Sequence, residues 1–111
     1  MIKPRIYLSG PISGKDKEER IAAFKKKKEE LEADGWTVFN PMENGLPYEA
    51  DTHQHMHRDL ATLTTEEIPF DAIYMMKRWS HSAGCKLELD VAIAIGMDVY
   101  FEDSNTMIKF T

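Results

Sequence analysis

Short apolar segments alternate with longer amphipathic segments along the chain. The apolar segments, rich in branched and aromatic residues, predict four strands and indicate a fifth near the end: residues 5–10, 36–39, 71–76, 98–101 and 107–110. Amphipathic periodicity predicts helices over residues 17–34 and 53–65. Strands and helices that alternate in this way specify an α/β fold, with a parallel sheet of four to five strands and helices on both of its faces.

The segment 84–96 fits two patterns. Leu87, Leu89 and Val91 alternate with polar residues as in a strand, whereas Leu87, Val91 and Ile95 also share one face of a helix. The segment is long for a strand, its alanines favour a helix, and the glycine at its end is a natural helix stop. We therefore predict a largely buried helix here.

Length and composition fit one globular domain that spans residues 1–111. Of these residues, 42% are hydrophobic and 30% are charged, which disfavours the disordered and coiled-coil classes. The 14 Lys and Arg against 19 Asp and Glu give a net charge of −5, so the domain repels the backbone of duplex nucleic acid. The lysine run 25–28, followed by glutamates, indicates a solvated helix face. A small phosphorylated ligand stays compatible with this charge, because backbone N–H groups can bind it.

The single cysteine, Cys85, excludes an internal disulfide and fits a reducing compartment. The sequence carries no apolar segment long enough for a signal peptide or a membrane span, so we predict a cytoplasmic protein with no membrane partner. His53, His55 and His57 lack the spacing of a known metal motif and indicate the polar start of a helix. We predict no metal and no organic cofactor.

In open parallel sheets, ligands bind outside the carboxyl ends of the strands. Four groups of residues fall there: Tyr7 with the turn 9–14, Asn40, the loop 77–84, and the start of the last helix with Glu88. The glycines of the turn allow close backbone approach, so a phosphate or a sugar fits there, although an ordinary tight turn has the same composition. The turn has neither the P-loop nor the dinucleotide-binding pattern.

Two carboxylates and one aromatic side chain are candidates for chemistry. Glu88 lies about one turn into the last helix, where a helix N-terminus stabilises the ionised form that a nucleophile needs. Asp59 is positioned to act beside it as general acid or base, and such a pair is the usual arrangement for cleaving a glycosidic bond. The alternative for each carboxylate is a solvent-facing helix residue. Trp79 either stacks on a nucleobase or caps the core.

Five segments together carry a resemblance to a known family: Ile6-Tyr7-Leu8-Ser9-Gly10-Pro11-Ile12-Ser13-Gly14, Val38-Phe39-Asn40-Pro41, Asp59-Leu60, Asp71-Ala72-Ile73, and the stretch from Gly84 to Gly96. Their order and spacing resemble the nucleoside 2-deoxyribosyltransferase-like superfamily, which includes the 2′-deoxynucleoside 5′-phosphate N-hydrolases. The last segment is the most specific, because the family has a glycine four residues before its catalytic glutamate and another glycine before the final strand.

The resemblance implies a flavodoxin-like three-layer sandwich and assigns roles to individual residues. Glu88 matches the nucleophile that attacks the anomeric carbon of the sugar. Asp59 matches the acid that positions the sugar and manages the proton, and Tyr7 matches a tyrosine that orients the glutamate. The positions that we expect to contact substrate, on this resemblance and on the strand-end rule, are Gly10, Pro11, Ile12, Ser13, Gly14, Asn40, Trp79, Ser82 and Gly84.

Ser82 stands six residues before Glu88. In the transferases this position is often an aspartate that binds the 5′-hydroxyl, whereas in the nucleotide hydrolases it is a serine that binds phosphate. A serine removes a negative charge that repels phosphate, which favours a 5′-monophosphate over a free nucleoside. The resemblance further implies a homo-oligomer, a dimer or larger, because a neighbouring subunit often completes the site in this family.

The sequence therefore predicts cleavage or transfer of the N-glycosidic bond of a (deoxy)nucleotide or (deoxy)nucleoside, through a covalent glycosyl-glutamate intermediate. The alternative is a non-catalytic nucleotide-binding or interaction domain on the same fold, because fold does not fix function. A flavodoxin-like receiver or redox module is disfavoured, since the sequence lacks an acidic cluster after the first strand and a redox cysteine pair.

Overall fold

The structure, a computed structural model, describes residues 3–12, 15–102 and 106–108. Strands and helices alternate within these residues: β1 (Arg5–Ser9), α1 (Lys17–Ala33), β2 (Thr37–Phe39), α2 (Thr52–Leu63), β3 (Ala72–Met75), α3 (Ala83–Ala94), β4 (Asp98–Phe101) and β5 (Thr106–Ile108). Two short 3-10 turns, Pro41–Glu43 and Trp79–His81, lie in the loops that follow β2 and β3. None of the helices in the described residues has the length and apolar character that a membrane crossing requires.

The strands form one sheet in the order β2-β1-β3-β4-β5. The first four are parallel, and β5 runs antiparallel to β4. A parallel neighbour needs a crossover of a dozen or more residues, whereas β5 begins only a few residues after β4 ends, so it pairs as a hairpin. The predicted α/β sheet is confirmed with four parallel strands. Residues 109–110 of the predicted fifth strand lie outside the described residues.

Alternate residues of β1 belong to different layers of the sandwich. Ile6 and Leu8 pack with Phe24 of α1 on one face of the sheet. Tyr7 packs on the other face, in a cluster that includes Leu63 of α2 together with residues of α3. Side chains of a strand alternate between faces, so a single five-residue strand supplies both cores. The prediction of helices on both faces is confirmed.

Helix α1 begins at an N-cap and is only partly amphipathic. The Asp16 carboxylate accepts the N–H of Glu19 at 2.9 Å, which satisfies one of the free donors of the first turn. In the lysine run 25–28, Lys25 and Lys26 are exposed, whereas Lys27 is half-buried and lies within 4 Å of the carboxylates of Glu30 and Glu102. The helix thus ties its polar face to the end of β4.

The predicted last helix is confirmed as α3, but its buried face differs from the prediction. Leu87 and Ile95, expected on the buried side, are 44% and 54% exposed. The residues that face the sheet are Cys85, Glu88, Leu89 and Ala92. Apolar residues occur on both sides of this helix, so the pattern alone did not select a face. The selected face carries small residues, which allow close packing, and a glutamate whose polar partners lie on β1.

Candidate active site

A cavity of about 570 Å³ opens at the carboxyl ends of β1, β2 and β3. Its wall is formed by residues 10–12 after β1, 41–42 after β2 and Arg78 after β3, together with residues of α2 and α3. This is the edge of the sheet at which parallel α/β folds bind ligands. Its volume suits a small organic molecule. Glu88 and Asp59 both line it.

Glu88 is 7% exposed, and two hydroxyl groups of β1 hold its carboxylate. The Ser9 hydroxyl donates to Oε1 at 2.8 Å, and the Tyr7 hydroxyl donates to Oε2. Tyr7 and Ser9 are two residues apart on a strand, so both point to the face covered by α3. The strand thereby fixes both oxygens of one carboxylate at the wall of the cavity.

Burial raises the pKa of Glu88 from its ordinary 4.5 to about 7, while the hydrogen bonds from Tyr7 and Ser9 pull that pKa down and the charge of Asp59 pushes it up. The sequence predicted a carboxylate stabilised by the helix N-terminus. Glu88 instead lies in the second turn of α3 and faces the sheet, where the field of the helix end has fallen off. Loss of solvent dominates, and the group titrates near neutral pH.

Asp59 lies on α2 and is also 7% exposed. Burial raises its pKa, whereas a hydrogen bond from Asn44 and the positive charge of Arg58 oppose the rise. The backbone carbonyl of Asp59 lies 3.5 Å from the Tyr7 hydroxyl, the same hydroxyl that donates to Glu88. Tyr7 therefore stands between the two acidic positions, and its own pKa is raised well above 10, first by burial and then by Glu88.

The predicted substrate-contact positions near the glycine turn and at the start of α3 mostly line the cavity. Residues 10–12 do, whereas Ser13 and Gly14 lie outside the described residues. Ser82 lines the cavity and is also the N-cap of α3, where its hydroxyl accepts the N–H of Cys85 at 3.2 Å. Gly84 lines it as well, and a Cβ there would lie 3.2 Å from the sulfur of Met56.

Asn40 and Trp79 have other contacts, and neither is among the described residues that line the cavity. The Asn40 side chain accepts the N–H of Met42 at 3.0 Å and so caps the 3-10 turn after β2. The ring of Trp79 lies 5.4 Å from that of Phe101 and packs on the core between the sheet and α3. Of the two interpretations of Trp79, core packing is the one that the structure supports.

Several residues of the site were not singled out from the sequence, although Ser9 and Arg78 belong to the turn 9–14 and the loop 77–84, which were expected at this edge of the sheet. Ser9 had a usable signal, because it is two residues after Tyr7 and shares its face of the strand. Lys15 and Arg78 bring positive charge to the cavity wall, and Arg78 adopts a left-handed backbone with φ of 68°. Asn44 binds the Asp59 carboxylate at 2.9 Å from an irregular loop, and no sequence pattern marked it.

Potential metal ligands do not gather in this site. Among the described residues, no three His, Cys, Asp or Glu side chains lie together in a way that could hold a metal ion. His55 instead contacts Asn44 through Nδ1 at 3.1 Å and the carbonyl of Tyr48 through Nε2 at 3.3 Å. Burial raises the pKa of the Cys85 thiol, which disfavours the thiolate that a cysteine nucleophile requires.

Comparison with known proteins gives a family without an assigned activity. A family model described as "Domain of unknown function (DUF4406)" matches residues 4–101. No curated protein matches the chain.

Proposed function

The chain belongs to the DUF4406 family, whose description assigns no activity, and we propose that it cleaves or transfers the N-glycosidic bond of a (deoxy)nucleotide or (deoxy)nucleoside. The observation that supports this most is the Glu88 carboxylate, buried at the cavity wall with both oxygens hydrogen-bonded. A nucleophile for this chemistry must be fixed in direction and close to the sugar.

In the proposed first step, a carboxylate oxygen of Glu88 attacks C1′ of the sugar and forms a glycosyl ester. The bond from C1′ to the base nitrogen breaks, and its electron pair leaves with the base, which takes up a proton. Positive charge develops on the sugar in the transition state, and the adjacent carboxylate stabilises it. In the second step, water attacks C1′ and gives its proton to Asp59, and the ester bond from C1′ to Glu88 breaks, which releases the sugar and regenerates the carboxylate. Attack by another base gives transfer in place of hydrolysis.

Asp59 is the group to which we assign the proton transfers and the positioning of the sugar. It lines the same cavity as Glu88, within reach of a ligand there, and burial raises its pKa above the ordinary value of 3.8. Tyr7 is assigned the orientation of Glu88, since its hydroxyl contacts both that carboxylate and the Asp59 carbonyl. The proposal needs no metal and no organic cofactor.

We favour a 5′-monophosphate substrate, because the cavity wall carries positive charge although the chain is acidic overall. Lys15 and Arg78 line the cavity, and in the described residues neither has a carboxylate within 4 Å. Ser82 and the first residues of α3 line it too, where a helix N-terminus attracts an anion. These groups would offset the repulsion between a phosphate and the two carboxylates.

The proposal includes a cytoplasmic location and self-association. The cysteine Cys85 is free and buried, which suits a reducing compartment. Leu87 and Ile95 expose apolar surface on α3, the helix that carries Glu88, and a second copy of the chain is the partner that we expect to cover them. Sedimentation velocity over a concentration series measures the state directly.

A base-release assay tests the proposed function. The protein is incubated with common nucleosides, deoxynucleosides and their 5′-monophosphates, with and without an acceptor base, and products are separated by chromatography. We expect base release by the native chain and none by Glu88→Gln. Asp90→Asn is the matched control, because Asp90 is an exposed carboxylate on the same helix and does not line the cavity.

Base release that persists in Glu88→Gln contradicts the proposed nucleophile. If the native chain releases no base from any compound of the panel, the proposed activity is contradicted. The non-catalytic alternative then gains support if one of the same ligands raises the melting temperature, since saturation at about 100 times Kd adds about 2.7 kcal/mol of stability.

A further inference from the structure

Asn44 occupies the loop between the 3-10 turn after β2 and helix α2, and it is 8% exposed. Its side-chain oxygen accepts the N–H of Leu46 at 3.0 Å, and its backbone carbonyl accepts Nη1 of Arg58 at 2.9 Å. The first contact identifies which end of the amide is the oxygen. The amide nitrogen of Asn44 must therefore face α2.

That nitrogen has two hydrogens and two acceptors. One acceptor is Oδ1 of Asp59 at 2.9 Å, and the other is Nδ1 of His55 at 3.1 Å. Because Nδ1 of His55 accepts, the ring carries its hydrogen on Nε2, which donates to the carbonyl of Tyr48 at 3.3 Å. The loop is thus hydrogen-bonded to α2 at the turn that presents Asp59 to the cavity.

The backbone of the loop is shaped for this contact. Gly45 has φ of 90°, a conformation that other residues rarely adopt. A Cβ at this position would also lie 3.1 Å from the Arg58 nitrogen that binds the Asn44 carbonyl. Glycine therefore serves both the turn and the close approach of the arginine.

Asn44 makes the one side-chain hydrogen bond that the described residues give to the Asp59 carboxylate. It occupies Oδ1, so Oδ2 is the oxygen that a ligand in the cavity can use.

We propose that Asn44 is a positioning residue, which holds one oxygen of Asp59 and thereby turns the other oxygen toward the ligand in the cavity. The role rests on the proposed function insofar as Asp59 acts in that reaction. The hydrogen bond also favours the ionised carboxylate, in agreement with its lowering effect on the pKa of Asp59.

The first test needs no substrate. The pKa of the Asp59 carboxyl group is measured by carbon-detected NMR titration in the native chain and in Asn44→Ala. We expect a higher pKa in the variant, because the donor to the ionised form is gone. Asp51→Ala is the matched control: it removes the N-cap of α2, which destabilises the same helix but leaves the Asn44 contact in place. An unchanged pKa in folded Asn44→Ala overturns the proposal.

A second variant covers the case in which Asn44→Ala does not fold. Asn44→Asp keeps the shape of the side chain and the acceptor for Leu46, but replaces the donor to Asp59 with a second carboxylate. Repulsion should raise the apparent pKa values of the pair above that of native Asp59. If the pair titrates at or below the native value, the asparagine does not have the proposed role.

Kinetics provide the second readout. For the substrate found by base release, Asn44→Ala should lower kcat by about 10-fold to 100-fold with little change in KM, the expected result of a misdirected catalytic group. Asp51→Ala should leave both constants unchanged. A native kcat in Asn44→Ala overturns the positioning role. If the native chain releases no base, the proposed function fails, and the NMR titration still decides whether Asn44 positions Asp59.

Discussion

The two faces of strand β1 have different roles, and we call them the packing face and the site face. On the packing face, Ile6 and Leu8 meet α1 in an apolar layer. On the site face, Tyr7 and Ser9 are also buried, but the hydroxyl group of each donates a hydrogen bond to Glu88. Five residues of one strand thus carry one row of side chains for stability and another for the candidate chemistry. Residues of the two rows alternate along the strand.

The difference is clearest in the buried charges. Within the part of the chain that the structure describes, the buried carboxylates are Asp59 and Glu88, and both line the cavity on the site face. Raising the pKa of Glu88 from 4.5 to about 7 corresponds to a cost of about 3 kcal/mol when the group is ionised. The packing face stabilises the fold that tolerates this cost.

The largest effect on stability is expected on the packing face. Leu8 is fully buried, so Leu8→Ala removes packed methyl groups and leaves a cavity, at a cost of about 2–5 kcal/mol. Urea unfolding measures the loss. Activity per folded molecule should stay native, because the side chain points away from the cavity. A loss of activity per folded molecule would show that the two faces are coupled.

The next largest effect is a gain in stability. Above about pH 8, Glu88→Gln should unfold with a free energy about 3 kcal/mol higher than that of the native chain, since the variant buries no ionised carboxylate. Native Glu88 keeps its proton to a higher pH when folded than when unfolded, so native stability falls as pH rises from about 4.5 to about 7. The gain should therefore vanish near pH 4.5.

Denaturant unfolding of Glu88→Gln across this range tests the sign. Asp90→Asn, on the exposed side of α3, should give parallel curves at every pH. A Glu88→Gln variant that is less stable than the native chain above pH 8 would mean that the hydroxyl groups of β1 compensate the buried charge fully. The two faces of β1 would then differ in their side chains but not in the cost of a buried charge.

The alternating pattern of the sequence was sufficient for the fold and insufficient for the face of α3. Strand β4 has the predicted bounds, and α3 forms where alanines and a final glycine favoured a helix. The side of α3 that packs on the sheet depends on hydroxyl groups of β1, about 80 residues earlier in the chain. A local periodicity has no access to such a contact, so Leu87 was predicted inside and lies outside.

For the site, strand polarity and the resemblance predicted Glu88, Asp59 and Tyr7. In the structure Glu88 and Asp59 line one cavity, whereas Tyr7 is fully buried and contacts Glu88 and the Asp59 carbonyl through its hydroxyl. Asn44 could not be predicted from the sequence, because its contact depends on the path of an irregular loop. Trp79 was an ambiguous signal, since an aromatic residue after a strand fits a ligand or the core equally well. Residue type identifies what a side chain can do, and only the packing decides which neighbour it meets.

The smallest effect separates the two hydroxyl groups of the site face. As Glu88 loses its proton, kcat/KM of the native chain should rise with pH through about 7, because the nucleophile is the ionised form. Tyr7→Phe removes a hydrogen bond that lowers the pKa of Glu88, so the rise should move to higher pH. The variant should also lose about 1 kcal/mol of stability above pH 7, where the carboxylate is charged, and less below pH 4.5.

Ser9→Ala should shift the profile in the same direction by a smaller amount, since the hydrogen bond from Tyr7 lowers this pKa more than that from Ser9 does. A pH profile that neither substitution moves would mean that another group controls the reaction, and that β1 contributes only packing on both of its faces.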